Sequence, residues 1–183
     1  MIIRKLFCTA IIFTILLGLI GGCYPADKAT SKESLQPAED LKKDFKLNLY
    51  TDKNDYKQDE QIKIWAVLEY IGPDDQITIW HGDPYISFTI TDGKNFNTGG
   101  GVFSVLTSTV LYKGKIYTFN YIKSGVYDNN SPDAAFWQEF YNQKELYLHK
   151  GSYTIKVQGA FSINESGNNV GNNLFEETNI NVN

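Results

Sequence analysis

From Phe45 onward, hydrophobic and polar positions alternate with a period of two, the signature of half-buried β-strands. Phe45, Leu47 and Leu49 alternate with Lys46, Asn48 and Tyr50. Ile62, Ile64, Ala66, Leu68 and Tyr70 do the same between Gln61 and Ile71. The turn signal Gly72-Pro73-Asp74-Asp75 follows, then Ile77 to Trp80 as one short strand and Ile86, Phe88 and Ile90 as another, ending at Asp92-Gly93. Val105–Tyr112 and Lys115–Lys123 are two β-rich runs, and their junction at Lys113-Gly114 predicts a hairpin. Leu146, Leu148, Tyr153, Ile155 and Val157 flank a turn at His149-Lys150-Gly151, with Phe161 and Ile163 continuing past Gly159. A last strand is expected from about Leu174 to Val182, after an Asn/Gly-rich loop over 164–173. Eight or nine short strands with frequent turns predict an all-β fold, a β-sandwich.

One segment breaks the alternation. Ser131 suits an N-cap, Pro132 the first helical position and Asp133 the positive end of a helix dipole. A short helix over Ala134–Tyr141 is expected across one end of the sandwich, with Phe136, Trp137, Phe140 and Tyr141 supplying an aromatic face.

Upstream of the sandwich the pattern is different again. Arg4 and Lys5 precede a nearly continuous apolar run, Leu6–Leu19, too short for a membrane span of about 20 residues and suited to a signal-peptide core. Ile20-Gly21-Gly22-Cys23 ends it. Residues 1–23 resemble a bacterial lipoprotein signal peptide. The resemblance implies cleavage between Gly22 and Cys23 and diacylglyceryl transfer to the Cys23 thiol. Two acyl chains are enough for stable anchoring, so no spanning helix is needed. The implied location is the extracytoplasmic face of the cell membrane. Residues 24–44, rich in Ala, Lys, Ser, Glu, Asp and Pro, bury too little to offset their ordering entropy and are expected to form a flexible tether reaching roughly 25 Å. The expected organisation is a cleaved signal over 1–22, lipidated cysteine and tether over 23–44, and a sandwich over 45–183.

Composition narrows the chemistry. Cys8 leaves with the signal, so the mature chain keeps only Cys23 and no intramolecular disulfide or cysteine-based zinc site is expected. Arg4 is the single arginine, and the chain has 17 basic against 21 acidic residues. Nucleic-acid recognition, which favours arginine forks on a basic face, is not expected. His81 and His149 are the only histidines and form no metal-spaced pair. Asp52, Asn54, Asp55, Asp59 and Glu60 crowd one loop, but Lys57 and Lys63 stand where an EF-hand-type loop needs glycine and glutamate. Gly99-Gly100-Gly101 lacks the lysine and hydroxyl of a phosphate-binding loop. No nucleophile–base pair stands out. No cofactor, metal or enzymatic activity is therefore expected. The candidate recognition residues are aromatic and polar groups at predicted edges: Trp80, His81, Asp83, Tyr85, Trp137 and Tyr141.

Two local patterns carry a wider resemblance. Leu49-Tyr50-Thr51-Asp52 through Tyr56–Ile64, and Leu146-x-Leu-x-x-Gly151-x-Tyr153-x-Ile155-x-Val157, resemble the opening and closing strands of immunoglobulin-like modules of bacterial surface proteins and of the BsuPI-like intracellular proteinase inhibitors. In overall plan the chain resembles uncharacterised lipoproteins of Gram-positive bacteria. The resemblance implies an immunoglobulin-like β-sandwich and a location, and names no reaction. The role expected from the sequence as a whole is a non-catalytic binding or accessory module for an envelope protein or wall polymer. The alternative is a regulator of an extracellular protease, presenting a loop such as Ser124–Asp133.

Overall fold

The computed structural model describes residues 41–99, 103–165 and 174–183, without the side chains of 103 and 104. The expected signal peptide, Cys23, most of the expected tether, and most of the Gly-rich and Asn-rich stretches lie outside them. The strands are β1 (Phe45–Thr51), β2 (Asp55–Tyr56), β3 (Ile64–Tyr70), β4 (Gln76–Thr91), β5 (Phe103–Tyr112), β6 (Ile116–Asn120), β7 (Gly151–Ser162) and β8 (Phe175–Val182), with one helix, α1 (Ala134–Asn142). They form a three-stranded sheet, β1-β3-β6, and a five-stranded sheet, β2-β8-β7-β4-β5. Pairing is antiparallel except between the two-residue β2 and β8. The fold is an immunoglobulin-like β-sandwich with one short helical insertion.

Alternation along each strand fills the space between the sheets. Ile64, Ala66, Leu68 and Tyr70 of β3 point inward, as do Tyr153, Ile155, Val157 and Phe161 of β7. One core cluster joins Leu47, Leu68, Ile79, Leu111 and Phe161; a second, toward the other end, joins Tyr56, Ile62, Ile90, Phe140 and Ile180. The domain starts upstream of the expected boundary at Phe45. Leu41, in a 3₁₀ turn over Leu41–Lys43, is 1% exposed within the first cluster, and the Asp44 carbonyl accepts a hydrogen bond from Ile71 N–H.

Three further expectations change. The runs Ile77–Trp80 and Ile86–Ile90 are one strand, β4, interrupted by an irregularity between His81 and Ile86 that contains a cis Asp83–Pro84 peptide. Ile79 and His81 face inward before it, Ile86 and Ile90 after it, so the inward set switches from odd to even numbers. A bulge does this by adding residues the partner strand does not match. Second, Lys113-Gly114 is a corner between sheets and not a hairpin turn, because β5 pairs with β4 and β6 with β3. The corner's amides are used elsewhere: Lys113 N–H donates to Asp75 O and Gly114 N–H to Tyr70 O, and Gly114 supplies the positive φ of 71°. Third, the N-cap of α1 is Asp133, two residues after Ser131, so Pro132 precedes the helix.

Candidate functional site

At the end of the sandwich beneath α1, a group of aromatic rings packs over the aliphatic side chains of the second core cluster. The segment after β4 starts it. Asp92 Oδ1 accepts hydrogen bonds from the N–H groups of Lys94 (2.8 Å) and Phe96 (3.0 Å), an Asx-type turn that fixes the backbone at Phe96. Thr98, 2% exposed, accepts from Ile90 N–H through Oγ1 and ties the segment back to β4. Phe96 then packs edge-on against Phe140 (5.4 Å) and Tyr153 (5.6 Å) and stacks on Trp137 (5.5 Å, 22°).

From Phe96 the stack continues outward. Trp137 lies 5.8 Å from Tyr141 at 24°, and Tyr141 lies 6.1 Å from Tyr127 at 11°. The i, i+4 spacing of Trp137 and Tyr141 on α1 makes the middle contact. Trp137 Nε1 donates to Asp133 Oδ2 at 2.8 Å, locking the indole to the helix start. Hydrogen bonds from Ser131 and Trp137 hold the Asp133 carboxyl below its ordinary pKa. Burial pushes the Tyr141 hydroxyl pKa up, and that of Tyr153 likewise, with the Asp92 charge adding to the second.

The stack separates two hollows. On one side is a cleft of about 220 Å³ walled by Phe96, Phe136, Phe140, Tyr147, His149 and Tyr153, with Asp59, Glu139 and Gln143 at its polar margin. Phe136 and Tyr147 are 37% and 38% exposed, so ring faces reach solvent there. On the other side a shallower hollow of about 280 Å³ lies among Asn97, Tyr127, Asp128 and Asp133. The first cleft is smaller than the usual 300–1,000 Å³ ligand pocket and suits one side chain or one sugar ring. Its apolar faces and rim carboxylates suit stacking plus hydrogen bonding.

The candidate residues from the sequence divide between two places. Trp137 and Tyr141 stand in this stack. Trp80, His81, Asp83 and Tyr85 lie along the β4 irregularity, where Tyr85 packs on the first core cluster. His81 is 7% exposed and satisfied: Nδ1 donates to Gly82 O (2.6 Å), leaving Nε2 to accept from the Thr109 hydroxyl (2.8 Å). Tyr85 packs 4.5 Å from the His81 ring and edge-on to Phe119 at 5.1 Å. Asp83 is exposed, and Trp80 is half-buried, in register with Ser108 and Ser162. His149 is exposed and stands 6.0 Å from the Phe136 ring. Sequence reasoning missed Phe96, the hub of the cluster. The one available signal was a lone aromatic directly after an Asp-Gly turn.

The acidic loop is occupied with its own structure. Asp52 Oδ1 accepts from the Tyr56 hydroxyl (2.7 Å) and Lys63 N–H (3.0 Å). Asp55 Oδ1 accepts from Asn181 Nδ2, and Glu60 pairs with Lys53 and with Lys57 N–H. Among the described residues no group of three or more His, Cys, Asp or Glu side chains could hold a metal ion. No described helix is long and apolar enough to cross a membrane.

No protein-family model and no curated protein sequence matches the chain. Several solved structures are similar at low identity. Spo0M, a sporulation control protein from Bacillus subtilis, is 12% identical with a TM-score of 0.38, over 76% of this chain and 49% of that one. The CARDB domain of the PF1109 protein from Pyrococcus furiosus, solved with di-metal ions, is also 12% identical with a TM-score of 0.38, over 76% and 88%. A β-glucosidase from Listeria innocua, in complex with isofagomine, is 10% identical with a TM-score of 0.36, over 75% and 16%. The chain thus spans about half of Spo0M and a sixth of the β-glucosidase.

Proposed function

We propose that this chain is a membrane-anchored lipoprotein whose sandwich is a non-catalytic extracytoplasmic binding module. The lipid on Cys23 holds it to the membrane, and the aromatic end around α1 engages an envelope protein or a wall polymer. The observation that carries the binding role is the four-ring stack Phe96–Trp137–Tyr141–Tyr127 beside a cleft that leaves Phe136 and Tyr147 exposed. Large rigid rings at a surface give contact area at little entropic cost, the property of interface anchors. The anchoring role is supported by the order of charged start, apolar run, glycine pair and cysteine in residues 1–23. The test is chemical cross-linking in intact cells, with neighbours identified by mass spectrometry and a Cys23→Ala strain as control. One envelope component recovered with the anchored form alone supports the proposal. An identical set of neighbours from both strains, with the mature N-terminus unlipidated, overturns it.

A second reading, regulation of an extracellular protease, is favoured by the segment over 121–128. It is extended and carries no regular element, with exposed and half-buried residues alternating along it. Lys123 Nζ donates to Phe140 O, and Gly125 lies against Tyr141, while Val126 is 95% exposed. A strap pinned at alternate positions with apolar side chains projecting, Ile122 and Val126, is what a protease specificity pocket accepts. Assay against extracellular proteases with Val126→Arg as comparison tests this: inhibition that changes preference with residue 126 supports it, and inhibition indifferent to residue 126 contradicts it.

A further inference from the structure

The two sheets have four edges, and three of them are protected against pairing with another chain. At one side of the five-stranded sheet, β2 is two residues long and lies between Lys53 and Lys57. In the three-stranded sheet, edge strand β1 carries Lys46, and β6 is five residues long between Lys115 and Lys123. Short strands and lysines are the usual guards of a sheet edge. The fourth edge, β5, has neither. Phe103–Tyr112 runs ten residues without a lysine, arginine, histidine, aspartate, glutamate, proline or glycine, and Leu106, Ser108 and Val110 are exposed.

Its sequence is also self-complementary. Val105-Leu106-Thr107-Ser108-Thr109-Val110-Leu111 is chemically palindromic about Ser108. A two-fold axis through Ser108 sets Thr107 opposite Thr109, Leu106 opposite Val110 and Val105 opposite Leu111 of a second copy. Each register pair is of one chemical class, and no charge is opposed. Thr–Thr and aliphatic cross-strand pairs are favourable, and an isologous contact of this kind closes after two subunits.

The backbone is available in the same register. Tyr112 N–H leaves the β4 ladder and donates to the Tyr117 hydroxyl at 2.9 Å, whereas Lys113 N–H turns back to Asp75 O. Along a strand these directions alternate. The amides and carbonyls of Leu106, Ser108 and Val110 therefore face away from β4, and among the described residues no strand pairs with them.

We infer that β5 is a homodimerisation edge: two copies join antiparallel through Leu106–Val110, centred on Ser108, into one continuous sheet. About six backbone hydrogen bonds form, two for each closely paired position. Two modules on one sheet present two aromatic ends. The inference stands on the edge alone and does not depend on the proposed ligand or anchor.

The test is Ser108→Cys in the full chain, oxidised mildly in detergent extract, with each linked peptide pair assigned by mass spectrometry so that Cys8 and Cys23 are counted separately. In the inferred register the two 108 positions lie about 5.5 Å apart, within disulfide reach. The comparison is Thr78→Cys, on the exposed outer face of β4, one strand in from the edge. The expected result is a 108–108 link at least tenfold above the 78–78 link, lost when Leu106→Lys is added. Sedimentation of the unmodified chain should show a dimer that Ser108→Lys converts to monomer with an unchanged circular-dichroism spectrum. Equal yields at 78 and 108, a monomer at all concentrations, or a 108 link to a peptide of another protein would overturn it.

Discussion

Lys123 Nζ lies 2.9 Å from the carbonyl oxygen of Phe140 and 4.4 Å above the centre of the same residue's ring. One cation thus joins the strap over 121–128 to the last turn of α1. Carbonyls there have no intrahelical partner and the helix dipole favours a positive charge. Burial pushes the Lys123 ammonium pKa down, with Glu145 partly opposing. Lys123→Met keeps the aliphatic stem and removes the donor. It is expected to lower stability by about 1–2 kcal/mol in urea denaturation. Lys144→Met, on the exposed surface, should cost less than about 0.5 kcal/mol.

Phe96 should matter as much as either helix aromatic. Its ring touches Trp137, Phe136, Phe140 and Tyr153, so Phe96→Leu removes one stacked and three edge-on contacts together. A loss of about 1–3 kcal/mol is expected from contacts of roughly 0.5–1.5 kcal/mol each with partial repacking. Near-ultraviolet circular dichroism should lose Trp137 signal. An unchanged spectrum would mean that Asp133 and the neighbouring helix aromatics hold Trp137 without Phe96.

Acid stability should depend on Asp52. Burial pushes its carboxyl pKa up, but the hydrogen bonds from the Tyr56 hydroxyl and Lys63 N–H outweigh this and hold it below the ordinary 3.8. The folded state therefore binds the proton more weakly than the unfolded chain. The stabilisation is complete above 3.8 and is lost as pH falls through the lower, folded value. Tyr56→Phe keeps the buried ring, removes one donor, and should cost about 1 kcal/mol at neutral pH. The difference from wild type should shrink as the pH of urea titrations drops below 3.8.

Gly159 stands in β7 where the space for a side chain is filled by Phe161 and Leu174. A Cβ there would come 2.9 Å from Phe161 Cε1 and 3.0 Å from Leu174 Cδ2, both on fully packed side chains. Gly159→Ala should destabilise by about 1–3 kcal/mol through overpacking, read as a lowered urea midpoint at unchanged slope.

Much of this fold is legible because a period of two marks a strand with one buried face. β1, β3, β7 and β8 follow from it, and the extent of α1 follows from the segment that breaks it. What was not legible depends on partners remote in sequence. The β4 bulge swaps which parity faces inward, so one strand appears as two. Lys113-Gly114 has hairpin chemistry, but the amides of that corner bond to Asp75 and Tyr70, which carries the chain across to the other sheet. In the site, the i, i+4 pair Trp137 and Tyr141 was visible, while Phe96 joins it only through tertiary packing. Trp80 to Tyr85 look like an edge in sequence. The bulge turns His81 inward to Thr109 and Tyr85 against Phe119, leaving Asp83 exposed.

The most direct test of the aromatic end as a recognition surface is site-specific photocross-linking in intact cells. A photoreactive phenylalanine analogue replaces Tyr147 at the cleft rim in one strain and Tyr50, on β1 in the other sheet, in a second. The expected result is one envelope protein or wall fragment captured from position 147 and absent from position 50, and lost when Phe136→Ala or Cys23→Ala is added. The same captured material from both positions, or capture from 147 that survives both substitutions, would contradict a binding site at this end of the sandwich.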